Sequence, residues 1–143
     1  MGTTVPASAP EALDAFVRSL NEADLDTTTN LLAREACLVT PDATVIKGRS
    51  DVTLAFKQFV TIGFQARLDL RSVLEIADVA LVVGRWTTQV GAGGSASSTS
   101  TRGTVILRVL EGRWKILLAA PWGWADRPLG IDRHVVERIP AAT

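Results

Sequence analysis

The period of the hydrophobic residues changes after the first 63 positions, and this change limits the possible folds more than any other feature. Before it, Leu13, Phe16, Val17 and Leu20 recur at the i, i+3, i+4, i+7 spacing of one helix face. After it, apolar and polar residues alternate over residues 65–76 with the period of two that is typical of a strand. Helices early and strands late predict an α+β chain with its helices packed on one side of a curved antiparallel sheet.

Turn and capping residues divide the chain into an arm (residues 1–9), one domain (10–122) and an irregular tail (123–143) that packs on the domain or on a partner subunit. The capping-box pattern of Ser8 with Glu11 predicts that the first helix begins there. The candidate N-caps of two further helices are Asp26 or Thr27, and Ser50 or Asp51. The predicted strands cover 37–39, 45–46, 65–76, 79–90, 101–110 and 113–120. Strict alternation in the third strand predicts that one face carries Leu68, Leu70, Ser72, Leu74 and Ile76.

The charge and the cysteine content exclude several classes of protein. Fifteen basic residues balance fifteen acidic ones, which argues against nucleic acid or an anionic membrane as the partner. No apolar run approaches the roughly 18 residues of a membrane span. Cys37 is the single cysteine and cannot form an internal disulfide, and the first residues do not form a secretory signal. We therefore expect a cytoplasmic protein.

The sequence offers little material for a metal or cofactor site. One histidine and one cysteine cannot build a usual zinc site. The GAGG run at 91–94 is not followed by a helical pattern, so it fails the test for a dinucleotide motif. We expect no metal and no cofactor. His134, near Asp132 and Glu137, is either a surface residue of the tail or a catalytic histidine oriented by an acid.

Five short motifs occur in an informative order. They are FVRSLNEADLD at 16–26, CLVTPD at 37–42, GRSDV at 48–52, GRW at 84–86 and GRWKI at 112–116. In this order they resemble the SnoaL-like and ketosteroid-isomerase-like branch of the NTF2-like superfamily. The resemblance covers about residues 10–122. It implies a cone in which a curved antiparallel sheet wraps around three helices, a pocket for a small apolar molecule, and a homodimer paired through the outer face of the sheet.

The same resemblance shows that the best-known catalytic groups of the superfamily are missing. Thr40 stands where a carboxylate base is expected, Phe16 where a tyrosine is expected, and Ala120 where cyclases of the SnoaL type keep a histidine. The stretch 105–107 is apolar where a second acid is expected, and the chain has no tyrosine. Ketosteroid-isomerase chemistry needs such a base and such donors, so we reject it for this chain.

Three charged residues remain as catalytic candidates. Asp42 lies just past the first strand and is either a displaced base at the pocket mouth or a turn carboxylate that binds local amides. Arg85 and Arg102 alternate with apolar neighbours on long strands. An arginine that points into the cone would clamp an anion or a carbonyl, whereas one that points outward is solvated or paired.

The expected pocket wall is rich in aromatic residues, which suits a flat polyene or aromatic ligand. Its predicted members are Phe16, Thr40, Phe56, Trp86, Leu118, Ala120, Trp122 and Trp124, with core packing as the alternative for Trp86. The chain is similar to the small accessory proteins encoded beside enediyne polyketide synthases. The resemblance thus implies a pocket protein of secondary metabolism that binds or processes a hydrophobic polyketide- or polyene-like intermediate, alongside enzymes of a polyketide pathway. The alternatives are a non-catalytic ligand carrier and a dimeric protein-interaction module.

Overall fold

A computed structural model describes residues 7–91 and 97–123 of the chain. In chain order the elements are α1 (Ala9–Asn21), α2 (Leu25–Leu31), β1 (Leu32–Val39), β2 (Val45–Lys47), α3 (Arg49–Thr61), β3 (Gln65–Ile76), β4 (Val79–Val90), β5 (Ser97–Leu110) and β6 (Arg113–Ala120). The predicted arm and tail fall largely outside the described residues.

The six strands form one sheet in the order β2-β1-β6-β5-β4-β3. All neighbouring pairs are antiparallel except β1 and β6, which run parallel. The three helices and this mostly antiparallel sheet form the α+β cone that the sequence predicted. The parallel pair was not predicted, because it joins strands that are distant in the chain.

Local chemistry explains where each helix begins. The backbone N–H of Glu11 donates to the Ser8 hydroxyl at 3.2 Å, which confirms the predicted cap of α1. The cap of α2 is Asp24, so the prediction of Asp26 or Thr27 was two or three residues too late. Gly48 precedes α3 with φ +95°, a conformation that favours glycine, and it gives no side-chain cap.

The sheet has two faces of different character. Along β4 the buried residues alternate with exposed or half-buried ones, and the buried set is Ala80, Val82, Gly84, Trp86 and Thr88. We call the side that packs against the helices the helix face and the opposite side the outer face. The interior is therefore built from every second residue of the sheet together with one stripe of each helix.

A β-bulge changes the alternation in the middle of β3. Leu70 pairs with Gly84, but Ser72 pairs with Val83, so Arg71 is an extra residue without a partner in β4. Leu68 and Leu70 consequently lie on the helix face, whereas Ser72, Leu74 and Ile76 lie on the outer face. The prediction that these five residues share one face was wrong, because alternation in the sequence cannot reveal an inserted residue.

The helix face is closed by large side chains and by one polar contact between helices. Phe16 and Phe56 are fully buried. Their rings meet edge to face, with centroids 5.4 Å apart. The Ser19 hydroxyl donates to the Phe16 carbonyl and also contacts the Thr28 hydroxyl, each at 2.7 Å. This contact joins α1 to α2 and satisfies two buried polar groups.

Candidate functional site

Three of the predicted pocket residues belong to the packed core. Phe16, Phe56 and Trp86 are each exposed by 1% or less. The space beside Trp86 is tight: a Cβ atom added at Gly103 would come within 2.6 Å of the indole Cδ1 and within 2.7 Å of the Ala120 carbonyl oxygen. These three rings are therefore part of the packed core, and the packing is tight where Trp86 meets Gly103.

Trp122 closes one end of the aromatic core. Its indole N–H donates to the Thr88 hydroxyl at 3.0 Å. Its ring lies 5.6 Å from Phe59 and 6.3 Å from Phe64, measured between centroids. The Thr101 hydroxyl donates to the Pro121 carbonyl at 3.0 Å, which holds the chain just before Trp122. Trp122, two residues after β6, is thus part of the core wall.

The remaining predicted pocket residues are dispersed. Leu118 pairs with Ile106 and with Cys37 and precedes the buried Ala119, so it lies on the outer face. Ala120 is fully buried at the end of β6. Trp124 and His134 lie outside the described residues.

A recess of about 460 Å³ opens between α3 and the loop from β1 to β2. We call it the mouth recess. Its lining residues are Thr40, Pro41, Asp42, Thr44, Ile46, Ala55, Gln58 and Phe59. Ile46, Ala55 and Phe59 supply apolar surface, and Asp42 and Gln58 supply polar groups. Phe59 also contacts Trp122, so the recess adjoins the aromatic core.

The carboxylate of Asp42 is held by its own loop. The Thr40 hydroxyl donates to it, and the Thr44 backbone N–H donates to the same oxygen at 3.2 Å. These bonds, the one from Thr40 foremost, lower the pKa of Asp42 below its ordinary value of 3.8. A carboxylate with a lowered pKa is a weak proton acceptor near neutral pH. Asp42 is suited to be a fixed negative charge rather than a base.

The two candidate arginines do not join Asp42. Arg85 and Arg102 are Cα partners on β4 and β5, both exposed on the outer face. They line a separate recess with Arg71. The structure therefore does not bring Asp42 together with Arg85 or Arg102.

Sequence reasoning found Thr40 and Asp42 but did not assign Gln58 to the site. Gln58 is exposed on α3 and lines the recess opposite the loop of Asp42. The sequence did hold one sign of this role, because Gln58 is next to Phe59, a member of the apolar stripe of α3. Its contribution became visible only when α3 and the β1–β2 loop were placed side by side.

Solved structures share this architecture at low identity. The chain has a TM-score of 0.70 and 15% identity with a conserved protein from Planctomyces limnophilus, with 78% of this chain and 89% of that chain covered. With a member of the NTF2-like family from Streptomyces avermitilis it has a TM-score of 0.67 and 18% identity, and the match covers 76% of this chain and 88% of that one. For an NTF2-like protein of unknown function from Shewanella oneidensis the values are 0.64 and 16%, with 78% and 93% covered. These likenesses show the NTF2-like cone fold.

No curated protein matches the chain. None of the helices in residues 7–91 and 97–123 is long and apolar enough to cross a membrane. The family model described as the SnoaL-like domain matches residues 10–118. Because this match spans well over half of the sequence, the chain belongs to the SnoaL-like domain family.

Proposed function

We propose that the protein binds a hydrophobic, hydroxyl-bearing small molecule in the mouth recess and carries it without proton-transfer catalysis. The observation that carries this proposal is the state of Asp42, whose carboxylate is held in a hydrogen-bonded loop beside an apolar floor. Such a group accepts a hydrogen bond from a ligand hydroxyl but holds its own proton too weakly for acid–base work near neutral pH. Family membership supports the proposal, since the SnoaL-like fold includes pocket and ligand-binding proteins.

The proposed ligand class is a polyketide- or polyene-like intermediate of secondary metabolism, met by the protein in the cytoplasm. A flat conjugated chain matches the Phe59 ring and the Ile46 side chain on the floor of the recess. A hydroxyl on that chain has Asp42 and the Gln58 amide within the same recess. Enzymes of the same pathway would then be the natural donors and acceptors of the ligand.

Retinol is a suitable probe because it is a fluorescent polyene with one hydroxyl. We expect saturable binding to the full chain with a Kd of about 10 µM or tighter. Gln58→Trp places a large ring at the recess and is expected to weaken binding about tenfold. Lys57→Trp is the matched control, since Lys57 is exposed on the same helix but does not line the recess.

Two outcomes would contradict the carrier proposal. One is the absence of saturable retinol binding by the wild-type chain. The other is equal weakening by Gln58→Trp and Lys57→Trp, which would place the ligand elsewhere. Native mass spectrometry after co-expression with candidate polyketide enzymes then identifies the natural ligand.

We further propose that the protein is a homodimer paired through the outer face. Leu74, Leu81, Ile106 and Leu118 are in register across β3, β4, β5 and β6. We call these four residues the apolar row. Leu74 is 54% exposed and Leu81 36%. Contiguous exposed apolar surface of this kind is typical of an interface.

A further inference from the structure

Three arginines line a recess on the outer face that shares no residue with the apolar row. The recess has a volume of about 340 Å³ and is lined by Arg71, Gly84, Arg85 and Arg102. We call it the arginine recess. It shares no lining residue with the mouth recess. The two are therefore separate sites.

The bulge in β3 brings the third arginine to this recess. Arg85 and Arg102 lie side by side because they are Cα partners on neighbouring strands. Arg71 is the residue without a partner between Leu70 and Ser72, directly beside the pairing of Leu70 with Gly84. A bulge redirects the side chain of its extra residue, and here that side chain joins Arg85 and Arg102 around one space.

The nearby carboxylate is already engaged. Asp69 is the Cα partner of Arg85, but its ion pair is with Arg67, at 3.5 Å. Within residues 7–91 and 97–123, none of Arg71, Arg85 and Arg102 forms an ion pair. Arg85 donates to the Ser100 hydroxyl at 3.3 Å, a neutral partner. Three positive charges thus share one recess, and no carboxylate of the described residues is paired with them.

We infer that the arginine recess binds a phosphate-class polyanion, the diphosphate group of a soluble small molecule. A guanidinium presents its N–H groups in a planar fork that pairs with two oxygens of one phosphate. Three forks around one recess provide more donors than a single carboxylate can accept. The arginines converge on a compact space rather than follow a line along a strand, which favours a compact ligand over an extended acidic chain.

Isothermal titration calorimetry with inorganic pyrophosphate at low ionic strength tests this inference on the full chain. We expect one site per chain, with an affinity that falls as salt is added. Arg102→Gln is expected to weaken binding at least about tenfold, the usual consequence of losing one charge-assisted contact. Arg102→Lys keeps the charge but not the planar fork of donors. Its affinity for pyrophosphate should therefore lie between that of the wild type and that of Arg102→Gln.

Arg34→Gln is the matched control for charge. Arg34 is exposed on β1, which β6 and β5 separate from β4. This variant lowers the net charge equally, so pyrophosphate affinity should stay within about twofold of the wild type if the site is local. Circular dichroism of all variants confirms that each retains the fold.

Four results would overturn the inference. The wild type shows no saturable pyrophosphate binding, or Arg34→Gln weakens binding as much as Arg102→Gln does. Citrate binding more tightly than pyrophosphate would assign the recess to carboxylates instead. Binding only of an acidic peptide, with no response to pyrophosphate, would make the recess a protein-docking surface and would also refute the proposal.

Discussion

The side chains on the two faces of the sheet differ in packing and exposure. On the helix face, Trp86 fits against Gly103 and the Ala120 carbonyl so closely that an added methyl group has no space. On the outer face, Leu74 and Leu81 of the apolar row and the three arginines of the arginine recess are exposed or line open space on β3, β4 and β5. The described interior of the cone is therefore packed for stability, while the open recesses and the exposed leucines lie at its mouth and on its outer face.

The largest expected effect is the stability lost when one large residue is truncated on each face. Trp86→Ala should lower the free energy of unfolding by about 3–5 kcal/mol, because the indole is fully buried and its removal leaves a cavity in the core. Leu74→Ala on the outer face should cost less than about 1 kcal/mol in the monomer. Urea unfolding measures both, and equal losses would mean that the two faces are equally packed.

The next effect concerns association through the apolar row. Leu81→Lys places a charge in the middle of the row, and truncating or charging a central contact costs about 2 kcal/mol or more of binding free energy. The dimer dissociation constant should therefore rise about thirtyfold or more. Sedimentation equilibrium gives the constant, with Leu54→Lys on α3 as the control, since Leu54 is exposed outside the sheet. A wild-type chain that stays monomeric would refute the dimer.

A smaller effect tests the polar contact within the helix layer. Ser19→Ala removes the hydroxyl that meets Phe16 and Thr28. We expect a loss of about 1–2 kcal/mol in the free energy of unfolding, because a buried group loses a hydrogen-bond partner. Thr29→Val is a comparison at a half-buried site, where water can replace part of the lost bonding. If the two variants lose the same free energy of unfolding, burial does not make the Ser19 contact more stabilising.

The smallest effect is the titration of Asp42 at the mouth recess. Its carboxyl pKa, measured by NMR, should lie below 3.8 and should return toward that value in Thr40→Val. Because the folded pKa is the lower one, the stability it contributes is present above pH 3.8 and is lost as the pH falls through the folded pKa. Asp42→Asn should remove this part of the acid dependence. An Asp42 pKa above 3.8 would contradict the fixed-charge role.

How much was predictable depended on how local each feature is. The stripe of α1 and the bounds of β3 and β4 follow from hydrophobic period and turn residues, which act within a few positions. The exposure of Arg85 and Arg102 does not, because it depends on which face of the sheet the helices cover. The catalytic candidates were grouped by chemistry alone, and only the strand order shows that Asp42 and Arg85 line different recesses.

The pairing of α3 with the β1–β2 loop was equally invisible in the sequence. Gln58 and Asp42 are brought to one recess by packing of Ala55 and Phe59 against Ile46 and its neighbours. Contacts between segments carry no local signature in a single sequence. The family resemblance located the mouth through Thr40, but the other wall required the structure.

The bulge at Arg71 also has an evolutionary reading. Leu70 is already opposite Gly84 and Ser72 opposite Val83, so a single-codon deletion of Arg71 would leave a regular ladder with the same pairs on both sides. Ser72, Leu74 and Ile76 would stay on the outer face, and the apolar row would be unchanged. The arginine recess, in contrast, would lose one of its three guanidinium groups. The two surface features can therefore be gained or lost separately.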